Sequence, residues 1–220
     1  LPVPVTRKQV VLAPGNRADV VVDPSAQGRF TLWTDPYDRG SLGMMGMMGM
    51  MGGGGSTTAS DPVALATVAV SGSNRTSPPL PAALPAPALP SGPVNTQRTV
   101  SFQMQMGMAV GGMRWTIDGR AFDAQRTDQA VQLGATEEWL VTNTDSMDHP
   151  FHLHVWPFQV LATSTAPGTE QSVRDVVLVP ARGWAQLRVH FADFAGRTVY
   201  HCHILDHEDA GMMATIEVAP

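Results

Sequence analysis

Six of the seven histidines in this chain fall into two short runs, His149-Pro150-Phe151-His152-Leu153-His154 and His201-Cys202-His203-Ile204-Leu205-Asp206-His207. The single cysteine, Cys202, lies inside the second run, and Met212 follows shortly after it. Imidazole, thiolate and thioether are ligands for soft and borderline transition-metal ions. Side chains alternate faces along a strand, so parity sorts these residues. His201 and His203 point one way and Cys202 the other. His152 and His154 share a face, and His149 takes the opposite one if the strand reaches that far. One group then holds His149, Cys202, His207 and Met212. The other holds His152, His154, His201 and His203. Two imidazoles, a thiolate and a weak axial thioether make up the ligand set of a blue-copper electron-transfer site. The second group is four imidazoles facing away from it. Cys202 is flanked in sequence by members of that second group, so the Cys-His backbone offers an electron a short covalent path between them. A zinc site needs neither the thioether nor the two-faced arrangement. A small electron carrier has no use for the flanking histidines.

HPFHLH followed by HCHILDHEDAGMM resembles the two C-terminal copper motifs of multicopper oxidases, nearest to bacterial laccases and copper-efflux oxidases. The resemblance implies cupredoxin folds and a role for each residue. His149, Cys202 and His207 would bind a type 1 copper with Met212 as axial ligand. His152 would bind a type 2 copper, and His154, His201 and His203 a type 3 pair. Cys202 would carry electrons onward, and Glu208, next to His207, would relay protons. The implied reaction couples one-electron oxidation of Cu(I), phenols or aromatic amines to four-electron reduction of dioxygen to water. The cofactor would be copper, four ions per complete enzyme. Such enzymes also carry HxHG and HxH motifs in an N-terminal domain, and no histidine precedes His149 here. The chain therefore completes the type 1 site and supplies half of the trinuclear cluster. Its expected partners are an N-terminal part with the missing motifs, dioxygen and a small reductant. The competing reading is an isolated blue-copper or copper-binding module without oxidase activity. Asp148 and Asp175 are placed to orient imidazoles or accept a proton, Asp209 reads as structural, and Val155 stands where the family often has glycine. The resemblance also implies export to the periplasm or cell exterior.

The elements that must position these residues are strands. The 220 residues include 18 Pro and 21 Gly, few runs have helical periodicity, and short segments rich in Val, Thr and aromatics recur. Strands are expected at 9–12, 17–22, 29–34, 63–70, 99–106, 114–117, 130–133, 136–143, 151–163, 173–179, 184–191, 197–202 and 212–218. Their regular spacing indicates an all-β sandwich or barrel, and the resemblance to multicopper oxidases implies that it is a cupredoxin-like Greek-key β-sandwich. Net charge is −5 with 15% charged residues, which argues against nucleic-acid binding. No apolar run is long enough for a membrane span, and LPVPVTRKQV lacks a signal-peptide pattern. One cysteine excludes an intrachain disulfide and a Cys-only zinc site.

Three segments recur in the same order. Val10–Pro14 matches Val176–Pro180, Gly28–Leu32 matches Gly196–Tyr200, and Ala66–Val70 matches Ala214–Val218. Residues 1–70 thus read as the C-terminal half of a second cupredoxin-like domain, 71–97 as a Pro-rich linker, and 98–220 as the complete copper-binding domain. Half a sandwich leaves open edges, so the chain reads as truncated, with the missing half supplied elsewhere. In this alignment Trp33 stands opposite His201 and Thr34 opposite Cys202. Residues 43–55 form a Met-rich insertion where the repeat has its Cys-to-Met loop. Its Met44, Met45, Met47, Met48, Met50 and Met51 recur with period three, and thioethers select Cu(I). Met104, Met106 and Met108 line one strand face and read as core. His190, in a strand without a ligand partner, reads as a satisfied polar residue.

Overall fold

From Thr96 onward, apolar side chains alternate along successive strands and close two sheets over one core. In this computed structural model, residues 3–22, 26–40, 61–73, 78–107, 112–168 and 172–220 are described. A hairpin of β1 (Gly28–Thr34) and β2 (Val63–Val70) stands apart as a two-stranded sheet. The strands that follow are β3 (Thr96–Gly107), β4 (Gly112–Ile117), β5 (Gln129–Gln132), β6 (Thr136–Asn143) and β7 (His149–Leu153). Next come β8 (Phe158–Thr163), β9 (Val173–Arg174), β10 (Val176–Val179), β11 (Trp184–His190) and β12 (Gly196–Cys202). A five-residue helix, α1 (Leu205–Asp209), precedes β13 (Met213–Ala219). One sheet has the order β10-β7-β12-β13-β5, the other β4-β3-β6-β11-β8-β9. All pairs are antiparallel except β13–β5 and β3–β6.

The two sheets face each other as a cupredoxin-like sandwich. Phe151, Leu153, Tyr200, Ala214, Ile216 and Val218 from the first sheet join Val100, Phe102, Trp139, Val141, Phe158 and Leu187 from the second in one buried cluster. Trp139 bridges the layers, meeting Tyr200 edge-on at 5.4 Å and Phe151 at 6.4 Å. Such aromatic contacts add to the burial of large apolar areas that drives the packing. Met104 packs against this cluster. His190 Nδ1 lies 3.0 Å from Thr136 Oγ1. Among the described residues no helix is long and apolar enough to cross a membrane.

The repeat extends to strand register. β1 pairs β2 with Gly28 opposite Val70, Thr31 opposite Thr67 and Leu32 opposite Ala66. β12 pairs β13 with Gly196 opposite Val218, Val199 opposite Thr215 and Tyr200 opposite Ala214. The matched residues face one another in both hairpins.

Four expectations are corrected. Residues 9–12 and 17–22 join no ladder among the described residues, and Val10, Val11, Leu12 and Val20–Val22 are exposed. Their β-branched composition signals a preference, but a strand needs a neighbour to accept its hydrogen bonds. The segment 151–163 is two strands, because after Leu153 the chain crosses from one sheet to the other and re-enters at Phe158. The segment 173–179 likewise splits at Asp175, with β9 and β10 in different sheets. The turn of helix at α1 was not anticipated, since five residues are too few for periodicity to show. The Met-rich insertion 43–55 lies outside the described residues.

Candidate metal centre

β7 and β12 are adjacent antiparallel strands with His201 opposite His152 and Cys202 opposite Phe151. Phe151, Tyr200 and Cys202 belong to the core cluster. Parity then turns His149 inward with Phe151, and turns His152 and His201 to the outer face. The inner group is assembled at one end of the sandwich. Cys202 Sγ lies 3.6 Å from His149 Nδ1 and 3.7 Å from His207 Nδ1, and the two Nδ1 atoms are 3.2 Å apart. A trigonal plane of nitrogen and sulfur ligands about 2.0–2.3 Å from an ion has edges of about 3.5–4 Å. The triangle is close to that size before any ion enters. His149 is 0% exposed, Cys202 0% and Met212 0%. The segment from Cys202 to Met212 folds back on itself, because Cys202 N–H donates to Met212 O at 3.0 Å and Met212 N–H to His207 O at 2.9 Å. The Met212 backbone is thereby tied to Cys202 and His207.

Protonation of this group suits metal binding. Burial, followed by the neighbouring His149, pulls the His207 imidazole down to about 4, so it is neutral near pH 7 and offers a lone pair. Burial pushes the Cys202 thiol up to about 12 in the metal-free protein. A coordinated thiol is deprotonated outright, so metal binding displaces that proton. His149 Nε2–H donates to Asp145 Oδ2 at 2.9 Å, which leaves Nδ1 as the lone-pair nitrogen of the triangle. Asp145 is itself fixed, accepting Met104 N–H at Oδ1 over 2.8 Å.

Two rings of the outer group are held by backbone carbonyls. His152 Nδ1–H donates to Asp175 O at 2.7 Å, and His201 Nδ1–H to Cys202 O at 2.9 Å. Both rings therefore keep Nε2 for a ligand. His154 Nε2 and His201 Nε2 are 3.1 Å apart. His152, His154 and His201 each bring one ligand atom within 4.8 Å of the others. The His203 ring stands beside them, its centroid 5.2 Å from that of His152 and 5.5 Å from that of His201. Burial pulls both His154 and His201 below the usual histidine range, which keeps them neutral. Glu208 places Oε2 3.4 Å from His201 Nδ1 while 29% of its side chain meets solvent.

Residues ahead of the sandwich reach both groups. The turn Ala13–Asn16 is closed by Asn16 N–H donating to Ala13 O at 2.9 Å. Asn16 Nδ2 donates to Val176 O at 3.1 Å, and Arg17 pairs with the Asp175 carboxylate at 2.7 Å. Gly15, at φ +84°, packs so closely on His203 that a Cβ there would sit 2.8 Å from its Cδ2. Near the inner group, Tyr37 Oη–H donates to Asp148 Oδ2 at 2.7 Å, and Asp148 N–H donates to Arg39 O at 2.7 Å. Asp148 thus ties the segment preceding His149 to residues 37–40. Asp209 ends α1 and, among the described residues, makes no hydrogen bond or ion pair with either histidine group. Met44, Met45, Met47, Met48, Met50 and Met51 lie outside the described residues. Sequence reasoning missed Asp145, Trp115 and Gly15. The spacing of Asp145, four residues ahead of His149, is a signal that could have been used. Trp115 and Gly15 are brought in by tertiary packing and leave no local trace.

Comparison with known proteins identifies relatives of this chain. The family model described as multicopper oxidase matches residues 92–220. A multicopper oxidase of Staphylococcus aureus is 36% identical over 109 residues, 47% of this chain and 24% of that protein. A bilirubin oxidase of Albifimbria verrucaria is 35% identical over 134 residues, 57% of this chain and 22% of that protein. The solved multicopper oxidase of Campylobacter jejuni, described as a metallo-oxidase, superposes with a TM-score of 0.69 at 28% identity, covering 89% of this chain and 42% of that one. The matches thus span about a quarter of the length of the curated relatives.

Proposed function

Because the chain belongs to the multicopper oxidase family, we propose that it is the C-terminal part of an enzyme that oxidises a small substrate one electron at a time and reduces dioxygen to water. The observation that carries this reading is the pair of donor sets on opposite faces of one strand pair, joined through Cys202. His149, Cys202 and His207, with Met212, would hold the type 1 copper. His152 would serve the type 2 ion, and His154, His201 and His203 the type 3 pair. The thiolate and imidazole donors suit copper. Bound copper would supply one-electron redox chemistry at the inner set and oxygen reduction at the outer set. Cys202 links the two, since its own backbone continues directly into His201 and His203. Glu208 would hold a proton at Oε2, between solvent and His201. Phe102 and Trp115 wall the inner set and keep water from it.

The outer set offers too few imidazoles for a trinuclear cluster, so the proposal includes an N-terminal part with HxHG and HxH motifs. It also includes the division into 1–70, a linker at 71–97, and a copper domain at 98–220. The shared register of β1–β2 and β12–β13 supports that division. Cu(I) is the favoured substrate over phenols or aromatic amines. The thioethers of 44–51 support this choice, and the Campylobacter protein is described as a metallo-oxidase. The proposed place of action is the periplasm or cell exterior. An isolated electron carrier leaves the outer histidines without a purpose, and no observation favours it.

The test separates the two sets. Cys202→Ser abolishes the intense blue thiolate-to-copper absorption. His152→Ala keeps that band but abolishes oxygen consumption by the complete enzyme. A blue band surviving the first change, or oxygen turnover surviving the second, overturns the assignment.

A further inference from the structure

Among the side chains around the inner set, Trp115 has a contact that no ligand role explains. Its indole stacks on the His207 imidazole with centroids 3.7 Å apart and planes inclined by 20°. The same indole meets His149 edge-on at 5.6 Å and 72°. Trp115 is 4% exposed, so both contacts are shielded from water. Its partner is carried on α1, a helix of only five residues whose N-cap has no side-chain hydrogen bond. So short a helix cannot fix a ring by itself. Among the described residues none hydrogen-bonds His207 Nε2, whereas His149 Nε2 is held by Asp145, and His152 and His201 by backbone carbonyls.

The loop is also shaped to meet Trp115. Gly211 adopts φ +108°, and a Cβ there would lie 3.1 Å from Ala121 Cβ and 3.3 Å from Trp115 O. Phe122 N–H donates to Gly211 O at 3.0 Å. The segment between Cys202 and Met212 therefore lies directly against β4 and its flank, and the stack falls where that docking occurs.

We propose that Trp115 is a positioning residue that clamps the His207 ring through this stack and so preforms the copper-binding triangle. The inference rests on the proposed type 1 site and names a residue outside its ligand set. Stacking restricts rotation of the imidazole about its own axis and holds Nδ1 toward Cys202 and His149. An aliphatic residue of similar burial fills space but gives the ring no plane to lie on.

The experiment compares the full chain with Trp115→Phe, Trp115→Leu and Trp115→Ala, each loaded with Cu(II). Copper affinity is measured by chelator competition, and the copper environment by electron paramagnetic resonance. Phenylalanine keeps a stacking face, so Trp115→Phe holds near-native affinity and a single sharp copper signal. Trp115→Leu loses about 10–100-fold in affinity, the usual scale for removing a residue that orients a ligand. Its signal broadens into several species, as does that of Trp115→Ala. If Trp115→Ala does not fold, the contrast between phenylalanine and leucine decides. Native affinity and a native signal in Trp115→Leu overturn the clamp. Equal losses in the phenylalanine and leucine variants also overturn it, in favour of packing alone. A parent chain that binds Cu(II) without any blue band overturns the type 1 reading, and the clamp with it.

Discussion

Asp145 shows how one carboxylate sets the chemistry of a ligand it does not replace. Its Oδ2 accepts His149 Nε2–H and its Oδ1 accepts Met104 N–H, so both oxygens face donors. Asp145→Asn keeps the shape but replaces one acceptor with an NH2 donor. If that donor faces His149, the ring avoids the clash by carrying its proton on Nδ1, the atom the metal needs. If it faces Met104, a buried backbone N–H loses its partner, at a cost of about 1–3 kcal/mol. The expected outcome is a 10–100-fold weaker copper affinity or a loss of stability of that size. Chelator competition and urea denaturation on the same variant check the two arms. A variant that matches the parent in both would show that Asp145 does not orient His149. The ligand residues were legible in the sequence because parity along a strand is a local property. Asp145 was half legible, through its spacing from His149.

At the scale of elements, the turn Ala13–Asn16 has to fit against the outer histidines. Gly15 is required there twice, by its φ of +84° and by the 2.8 Å approach of its missing Cβ to His203. Gly15→Ala pushes on His203 and strains the turn, while the inner triangle lies on the opposite face of the sheet. Oxygen consumption by the complete enzyme falls, and the blue absorption is unchanged; a change in the blue band would show that the two faces are not independent. A second element test concerns the Met-rich insertion. Removing residues 44–51 slows Cu(I) oxidation more than phenol oxidation, and an equal effect on both would reduce the insertion to scaffold. Strand order and crossings were much less legible than strand content. Nothing around Leu153 or Asp175 announces a change of sheet, since a crossover is decided by which neighbour lies beside the chain. Residues 9–12 and 17–22 have strand composition yet no ladder among the described residues, for the same reason. Gly28–Leu32 and Ala66–Val70 were legible as a repeat because their pairing is local to one hairpin.

At the scale of the whole molecule, stability is unevenly distributed. The strands from β3 to β13 enclose one aromatic-rich core, whereas every residue of β1 is exposed and so is nearly all of β2. Phe30 is 41% exposed, Trp33 54% and Leu65 61%. A two-stranded sheet without a covered face is marginal in water, and its open edges invite pairing with another chain. In the other copy of the repeat the same register is stable because β12 also pairs β7, β13 pairs β5, and Tyr200, Ile216 and Val218 are buried. The chain alone should therefore unfold locally at the hairpin far more often than it unfolds globally. Limited proteolysis of the copper-loaded chain is expected to cut first ahead of Thr96. A resistant fragment beginning near that residue should remain and keep the blue band, because every proposed type 1 ligand lies within it. Amide hydrogen exchange should be fast in β1 and β2 and slow in β6, β11 and β12. Adding the proposed N-terminal part should slow both cleavage and exchange in the hairpin by covering its apolar face. Equal protection of β1–β2 and β6 in the isolated chain would mean that the hairpin is covered by self-association, which sedimentation at two concentrations would reveal.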